Sequence, residues 1–286
     1  MAKVHAISTG AVQVRHAQMV SKGHGLARVA NMLLDEEWTD WLPIYVWVIE
    51  HRSGVVIVDT GETARVHEPG YHPRWHPFYR RAARFKVAPE DELGPQLRAL
   101  GIAPADVTDV VLTHLHTDHA GGLRHVVGCR TWVHEAEWKG AQGPVGKLKG
   151  YLPHRWPKWW QPDLLRFQDR PVGPFQQSAA VTSDEEILVI PTPGHTPAHV
   201  SVLVQGSPSI FLAGDTSYTQ SLLIEGKVDG VSPNEEVSRA TLSRIGELAR
   251  ERPLVYLPSH DPESASRLAS NSLLESAPRN LPFAVA

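Results

Sequence analysis

Val107-Thr108-Asp109-Val110-Val111-Leu112-Thr113-His114-Leu115-His116-Thr117-Asp118-His119 sets a strand-like apolar run directly before three imidazoles and a carboxylate in six consecutive positions. Neutral imidazole and carboxylate are both preferred ligands for zinc-like divalent ions. On an extended segment, alternate side chains share a face, so His114 and His116 point to one side while Asp118 and His119 face elsewhere. A single ion has difficulty using all four groups from so short a stretch. The spacing therefore predicts two ions side by side, and further ligands later in the chain.

Three candidates lie in equivalent places. His195 follows the apolar run Ile187 to Ile190 within Pro191-Thr192-Pro193-Gly194-His195-Thr196. Asp215 ends Ile210-Phe211-Leu212-Ala213-Gly214-Asp215, and His260 follows Leu254-Val255-Tyr256-Leu257-Pro258-Ser259. Each sits at the carboxyl end of a predicted strand. Strands that alternate with helices gather those ends along one sheet edge, where α/β architectures bind ligands. The seven groups can therefore converge.

In these residues the chain resembles the metallo-β-lactamase superfamily. That family's His-x-His-x-Asp-His, followed by a later His, Asp and His, is matched in order by His114, His116, Asp118, His119, His195, Asp215 and His260. Asp59-Thr60-Gly61 also resembles the family's early Asp-x-Gly turn, so the likeness spans most of the chain. The resemblance implies an α/β fold of the αβ/βα sandwich type, two mixed β-sheets flanked by helices, as one hydrolase domain over residues 1–286. It implies that His114, His116 and His195 hold one ion, that Asp118, His119 and His260 hold the other, and that Asp215 bridges them. Two divalent ions per chain are expected, zinc by default, with cobalt, iron and manganese compatible with the same donors. Asp59 is expected to orient a ligating histidine, with His199 and His125 as further candidates for such support.

Asp215-Thr216-Ser217-Tyr218-Thr219 places a tyrosine three positions after the bridging aspartate, which resembles the N-acyl homoserine lactonase branch, as does Ser259-His260-Asp261. One departure is Ala198, where the related pattern has glycine. The expected reaction is opening of the homoserine lactone ring by a hydroxide shared between the ions. Asp118 would relay the proton to the leaving alkoxide, and Tyr218 would stabilise the carbonyl oxygen. The small-molecule partner is a lactone with an acyl chain. Other ester classes (other lactones, aryl esters or organophosphates, thioesters) are the alternative, and a phosphodiesterase is a more distant one, since one fold hosts many reactions.

The 286 residues carry 28 Lys plus Arg against 31 Asp plus Glu, a net charge of -3 that offers no bulk attraction to nucleic acid or anionic lipid. The amino terminus alternates polar and apolar residues, and the longest apolar stretch, Ile44 to Ile49, is too short to span a bilayer. A soluble cytoplasmic protein without membrane or nucleic-acid partners is expected. Cys129, the only cysteine, is read as a small buried apolar residue.

Insertions near residues 16–43 and 150–175 are rich in Trp, Met and Leu or in Trp and Pro, and are expected to wall a substrate pocket or to form a homodimer contact, with satellite packing beneath a long loop as the alternative. Tyr71 to Lys86 interleaves Arg with aromatic residues and is read as a helix with one packed face. Strands are expected near 4–7, 11–14, 44–50, 55–58, 131–133, 187–190, 199–204, 209–213 and 254–257. Helices are expected near Leu93–Leu100, after His119, and from Asn234 to Ala249, with Asn234 as cap.

Overall fold

The computed structural model describes residues 2–275. Seven strands, β1 (Lys3–Val14), β2 (Leu42–His51), β3 (Gly54–Val58), β4 (Ala83–Lys86), β5 (Val107–Val111), β6 (Arg130–His134) and β7 (Asp163–Leu165), form one sheet in the order β4-β1-β2-β3-β5-β6-β7. The β1–β2 and β2–β3 pairs are antiparallel, and β3, β5, β6 and β7 run parallel. A second sheet joins β8 (Ala179–Ala180), β9 (Ile187–Pro191), β10 (Val200–Val204), β11 (Ser209–Gly214) and β12 (Leu254–Pro258) in the order β12-β11-β10-β9-β8, with only β11–β12 parallel. Both sheets are thus mixed.

The strands read as continuous apolar runs because both faces of each sheet are covered. Between the sheets, Trp47, Ile49 and Val58 meet Val189, Val202 and Leu257 in one buried cluster. Among the described residues, ten helices supply the outer layers: α1 (His16–Met19), α2 (Gly25–Leu34), α3 (Pro77–Arg81), α4 (Leu93–Ala99), α5 (Thr117–Ala120), α6 (Glu135–Ala141), α7 (Gly143–Leu148), α8 (Gln220–Ile224), α9 (Glu235–Glu251) and α10 (Ser264–Ser270). Leu93 and Leu97 of α4 pack on Val48, Ile57 and Val110 of the first sheet. Leu242, Ile245 and Leu248 of α9 cover Leu203, Phe211 and Tyr256 of the second. This is the αβ/βα sandwich that the sequence implied.

Asn234 caps α9 as its sequence position suggested, accepting from the backbone N–H groups of Glu236 (3.0 Å) and Val237 (3.2 Å), a contact that stabilises a helix by about 1 kcal/mol. The two short strands expected at 4–7 and 11–14 are one strand, because a register shift between Ser8 and Ala11 absorbs the break in alternation. In the segment 150–175 the satellite-packing alternative describes Trp156 and Trp160, which join Trp138 and do not wall the cavity at the His-rich loop. Trp156 stacks on Trp138 at 5.4 Å and meets Trp160 edge-on at 5.1 Å, and Phe175 packs in the cluster under α9. No helix among the described residues is long and apolar enough to cross a membrane.

Candidate metal centre

The ends of β3, β5, β9, β11 and β12 meet at one rim of the sandwich, and there the sequence motifs come together. Asp59 follows β3 in the left-handed region (φ +64°), a conformation that aspartate tolerates better than most residues. Its carboxylate accepts from the Thr113 N–H (2.8 Å) and Oγ1–H, and from Nδ1–H of His119 (2.8 Å). One buried side chain thereby ties the end of β3 to both ends of the His-rich loop. The loop also closes through close backbone approach: a Cβ at Gly122 would lie 2.1 Å from the Thr60 carbonyl oxygen, so the chain after α5 needs glycine there.

His114 Nε2 lies 3.0 Å from His116 Nδ1, which lies 3.1 Å from His195 Nε2. Asp215 Oδ2 is 3.4 Å from His195 Nε2, while Oδ1 is 3.3 Å from His119 Nε2 and 3.4 Å from His260 Nε2. Asp118 completes the second group, with Oδ2 at 3.6 Å from His260 Nε2 and Oδ1 at 3.9 Å from His119 Nε2. All seven residues singled out in the sequence therefore converge. They fall into a His114/His116/His195 set and an Asp118/His119/His260 set, and Asp215 turns one oxygen toward each.

The outward nitrogens fix the tautomers. His119 Nδ1–H donates to Asp59, His195 Nδ1–H to Asp229 (3.0 Å), and His260 Nδ1–H to the Pro43 carbonyl (2.9 Å), groups that can only accept. Each of these rings therefore points Nε2 inward. His119 Nε2 and Asp215 Oδ1 are buried and have no hydrogen-bond partner. Imidazole nitrogens and carboxylate oxygens facing one another call for positive charge between them, and this nitrogen and oxygen donor set suits a divalent ion.

The electrostatics divide the imidazoles into two groups, one held neutral and one on which the carboxylates favour positive charge. Burial pushes the His114 imidazole well below its ordinary value and His116 down to about 3, so both offer lone pairs. Burial acts the same way on His119, His195 and His260. For these three the carboxylates outweigh it, Asp215 and Asp59 for His119, Asp229 and Asp215 for His195, Asp215 and Asp118 for His260, and each ends above its ordinary value. Burial would lift Asp215, but His119, His260 and His195 hold it well below the usual carboxylate range.

Supporting groups include several without a sequence signature. Glu137 of α6 accepts through Oε1 from Tyr151 Oη–H (2.8 Å) and Leu115 N–H (3.1 Å), and through Oε2 from Thr196 Oγ1–H (2.8 Å), so it braces both His-bearing loops. The Tyr151 ring stacks on His116 at 5.1 Å. His199 accepts the Asp215 N–H (3.0 Å), as its sequence position suggested, and is kept neutral by burial, which moves it down to about 3. Gly214 is left-handed (φ +56°), and a Cβ there would lie 2.5 Å from His199 Nε2. His125, the other expected supporter, instead binds Glu92, which also pairs with Arg124. Its place in the 3-10 turn Leu123–His125 turns it toward α4. Ala198, the departure from the glycine pattern, is buried and does not adopt a positive φ, so it adds no backbone strain.

A cavity of about 270 Å³ opens onto this centre and touches His116, Asp118, Asp215 and His260. Its outer walls are apolar: Val12 and Val14 of β1, Val29, Met32 and Leu33 of α2, and Phe85 of β4. The 16–43 segment contributes as expected, whereas 150–175 supplies only Gly150 and Tyr151. The Tyr71–Lys86 segment corrects its reading as a helix with one packed face: it holds the short α3 and β4, and places Phe78, Tyr79 and Phe85 on the cavity wall. Tyr218 lines the same cavity, stacked on His260 at 5.6 Å, and its oxygen accepts from Gln18 Nε2–H at 2.8 Å.

Fold and centre together define a metal-dependent hydrolase. A sequence model of the Metallo-beta-lactamase superfamily matches residues 39–260, and the chain belongs to that superfamily. Among curated proteins it is similar to an N-acyl homoserine lactonase of Bacillus sp., 28% identical over 232 residues that cover 78% of this chain and 82% of that one. It is also similar to N-acyl homoserine lactonase AttM of Azorhizobium caulinodans, 26% identical over 259 residues covering 86% and 93%. Among solved structures it resembles an N-acyl homoserine lactone hydrolase with the product N-hexanoyl-L-homoserine bound at its catalytic metal centre. That likeness has a TM-score of 0.74 at 20% identity, over 92% of this chain and 95% of that one, and concerns the fold.

Proposed function

We propose that the chain opens the lactone ring of N-acyl homoserine lactones, using two divalent ions held as His114/His116/His195 and Asp118/His119/His260 with Asp215 between them. The observation that carries this reading is the position of Tyr218: its phenol borders both the donor cluster and an apolar cavity shaped for a tail. The lactonase relatives support the same substrate class. Zinc is the expected metal, because it favours imidazole and carboxylate ligands.

When bound, a pair of divalent ions supplies a water that loses its proton near neutral pH and positive charge for the developing oxyanion and leaving alkoxide. The protein's own groups do the rest. Burial pushes the Tyr218 phenol well above its ordinary value, so it keeps its proton. Because Gln18 donates to its oxygen, the Tyr218 O–H is free to donate to the substrate carbonyl. Asp118, the most open of the centre's carboxylates at 16% side-chain exposure against 4% for Asp215, takes up a proton and delivers it to the alkoxide as the ring C–O bond breaks. The product carries a carboxylate and a hydroxyl, and one proton is released to solvent near neutral pH.

A panel of acyl homoserine lactones read by a pH indicator, beside thioester and phosphodiester controls, tests the reading. Acid release from the lactones is expected; turnover of another class with none from any lactone refutes it. Tyr218→Phe should lower kcat/KM for lactones about tenfold, less than the ~10² to 10³ lost with a sole oxyanion donor, because the metal charge shares that task. An unchanged kcat/KM would place Tyr218 in packing alone. Lengthening the acyl chain should raise kcat/KM about fourfold per methylene, equivalent to about 0.8 kcal/mol, until the apolar cavity is full. A flat series would put the tail outside it.

A further inference from the structure

A second cavity, of about 340 Å³, opens against α5 and shares Thr117 with the first. Its volume lies within the range of small-molecule sites. Arg65, Arg124, His154, Arg155 and Lys158 line it, and its walls contain no Asp or Glu. Two of these cations are matched from behind, Arg65 by Glu68 at 3.1 Å and Arg124 by Glu92. Arg155 and Lys158 have no carboxylate partner among the described residues. The wall therefore holds a surplus of two positive charges.

Arg155 is also fixed in place. Its Nε–H donates to the Tyr71 carbonyl at 2.9 Å and its Nη2–H to the Gly70 carbonyl, which holds the guanidinium 4.8 Å from the Tyr71 ring centroid. Nη1 is left without a hydrogen bond among the described residues. The buried Tyr71 phenol is raised by its burial and by the Glu62 carboxyl and drawn back by Arg155, Arg65 and Arg124, and all three arginines line this cavity. Trp156 adds a flat apolar wall beside them. We infer that this cavity is a second ligand site, for a small molecule that carries a phosphate group. The unbonded Nη1 of a guanidinium held in place can donate to a phosphate oxygen, and a surplus of two charges balances a phosphate monoester, which carries close to two negative charges at neutral pH, better than a carboxylate, which carries one.

The test uses metal-loaded enzyme at constant ionic strength, titrated with inorganic phosphate and with phenyl phosphate while tryptophan fluorescence is followed. Both should bind, and a tighter phenyl ester identifies the occupant as an organic phosphate, whereas equal binding identifies the phosphate group alone. Lys158→Glu changes an exposed side chain without a structural bond. It should weaken binding by about tenfold or more and leave turnover in the absence of phosphate unchanged. Arg155→Gln should weaken it further. If binding survives Lys158→Glu and phosphate acts only as a competitive inhibitor, the anion sits on the metal centre and the inference fails. Binding of a single-stranded oligonucleotide without binding of phenyl phosphate would equally overturn it.

Discussion

Asp215→Asn is expected to remove metal and turnover together, with kcat/KM falling by roughly 10² to 10⁴, the equivalent of the several kcal/mol that bound ions contribute to such reactions. The reason is positional. Asp215 faces both proposed ligand sets, with Oδ1 toward His119 and His260 and Oδ2 toward His195. An amide in its place is uncharged and turns an N–H₂ toward one set. His116→Ala should behave similarly, since it removes the central nitrogen of the three that lie 3.0 and 3.1 Å apart. Metal content by elemental analysis and kcat/KM on the best ester substrate measure the two losses. Full activity in either variant after its metal is lost would contradict the assignment.

Asp59→Asn should cost about 10- to 100-fold in metal affinity without touching a ligand, the range expected when a group that orients a metal-bound histidine is changed. Asp59 accepts Nδ1–H from His119 and so turns Nε2 toward the centre as the nitrogen available to a metal ion. An asparagine that keeps its oxygen on the Thr113 N–H presents its amide hydrogens to the ring. His119 then has to accept at Nδ1 and carry its proton on Nε2, which closes that lone pair to metal. Competition against a chromophoric chelator gives the affinity, and excess metal should restore part of the rate. Unchanged affinity would show that Asp59 serves only to join β3 to the loop through Thr113.

The candidate ligand set was legible in the sequence because each member carries a distinctive side chain at or just after the end of an apolar run. Those runs stood out because β5, β9 and β12 are covered on both sides. The groups behind the ligands were not legible. Asp229 lies in a loop with no motif, Gln18 is 200 residues from the Tyr218 it bonds, and the carbonyl that orients His260 belongs to Pro43, which has no polar side chain. Their roles arise from tertiary proximity alone. Glu137 belongs with them: on α6 it resembles any helical glutamate until Tyr151, Leu115 and Thr196 close around it.

The aromatic segments show where composition stops being informative. Trp156 and Trp160 have the same apolar surface whether they face a cavity or a core, and Trp138, which packs against both, lies outside the segment. In Tyr71–Lys86 the alternating basic and aromatic residues gave no hint of which partners they meet. Tyr79 bonds to the Gly150 carbonyl and His76 pairs with Leu148 across α7, so the segment is folded inward against the cavity.

Elemental analysis of purified, fully active enzyme, with stepwise removal and return of metal, bears most directly on the centre. About two divalent ions per chain, lost with activity on chelation and regained with it on reconstitution, are expected. Full activity with a single tightly bound ion per chain would contradict the paired site.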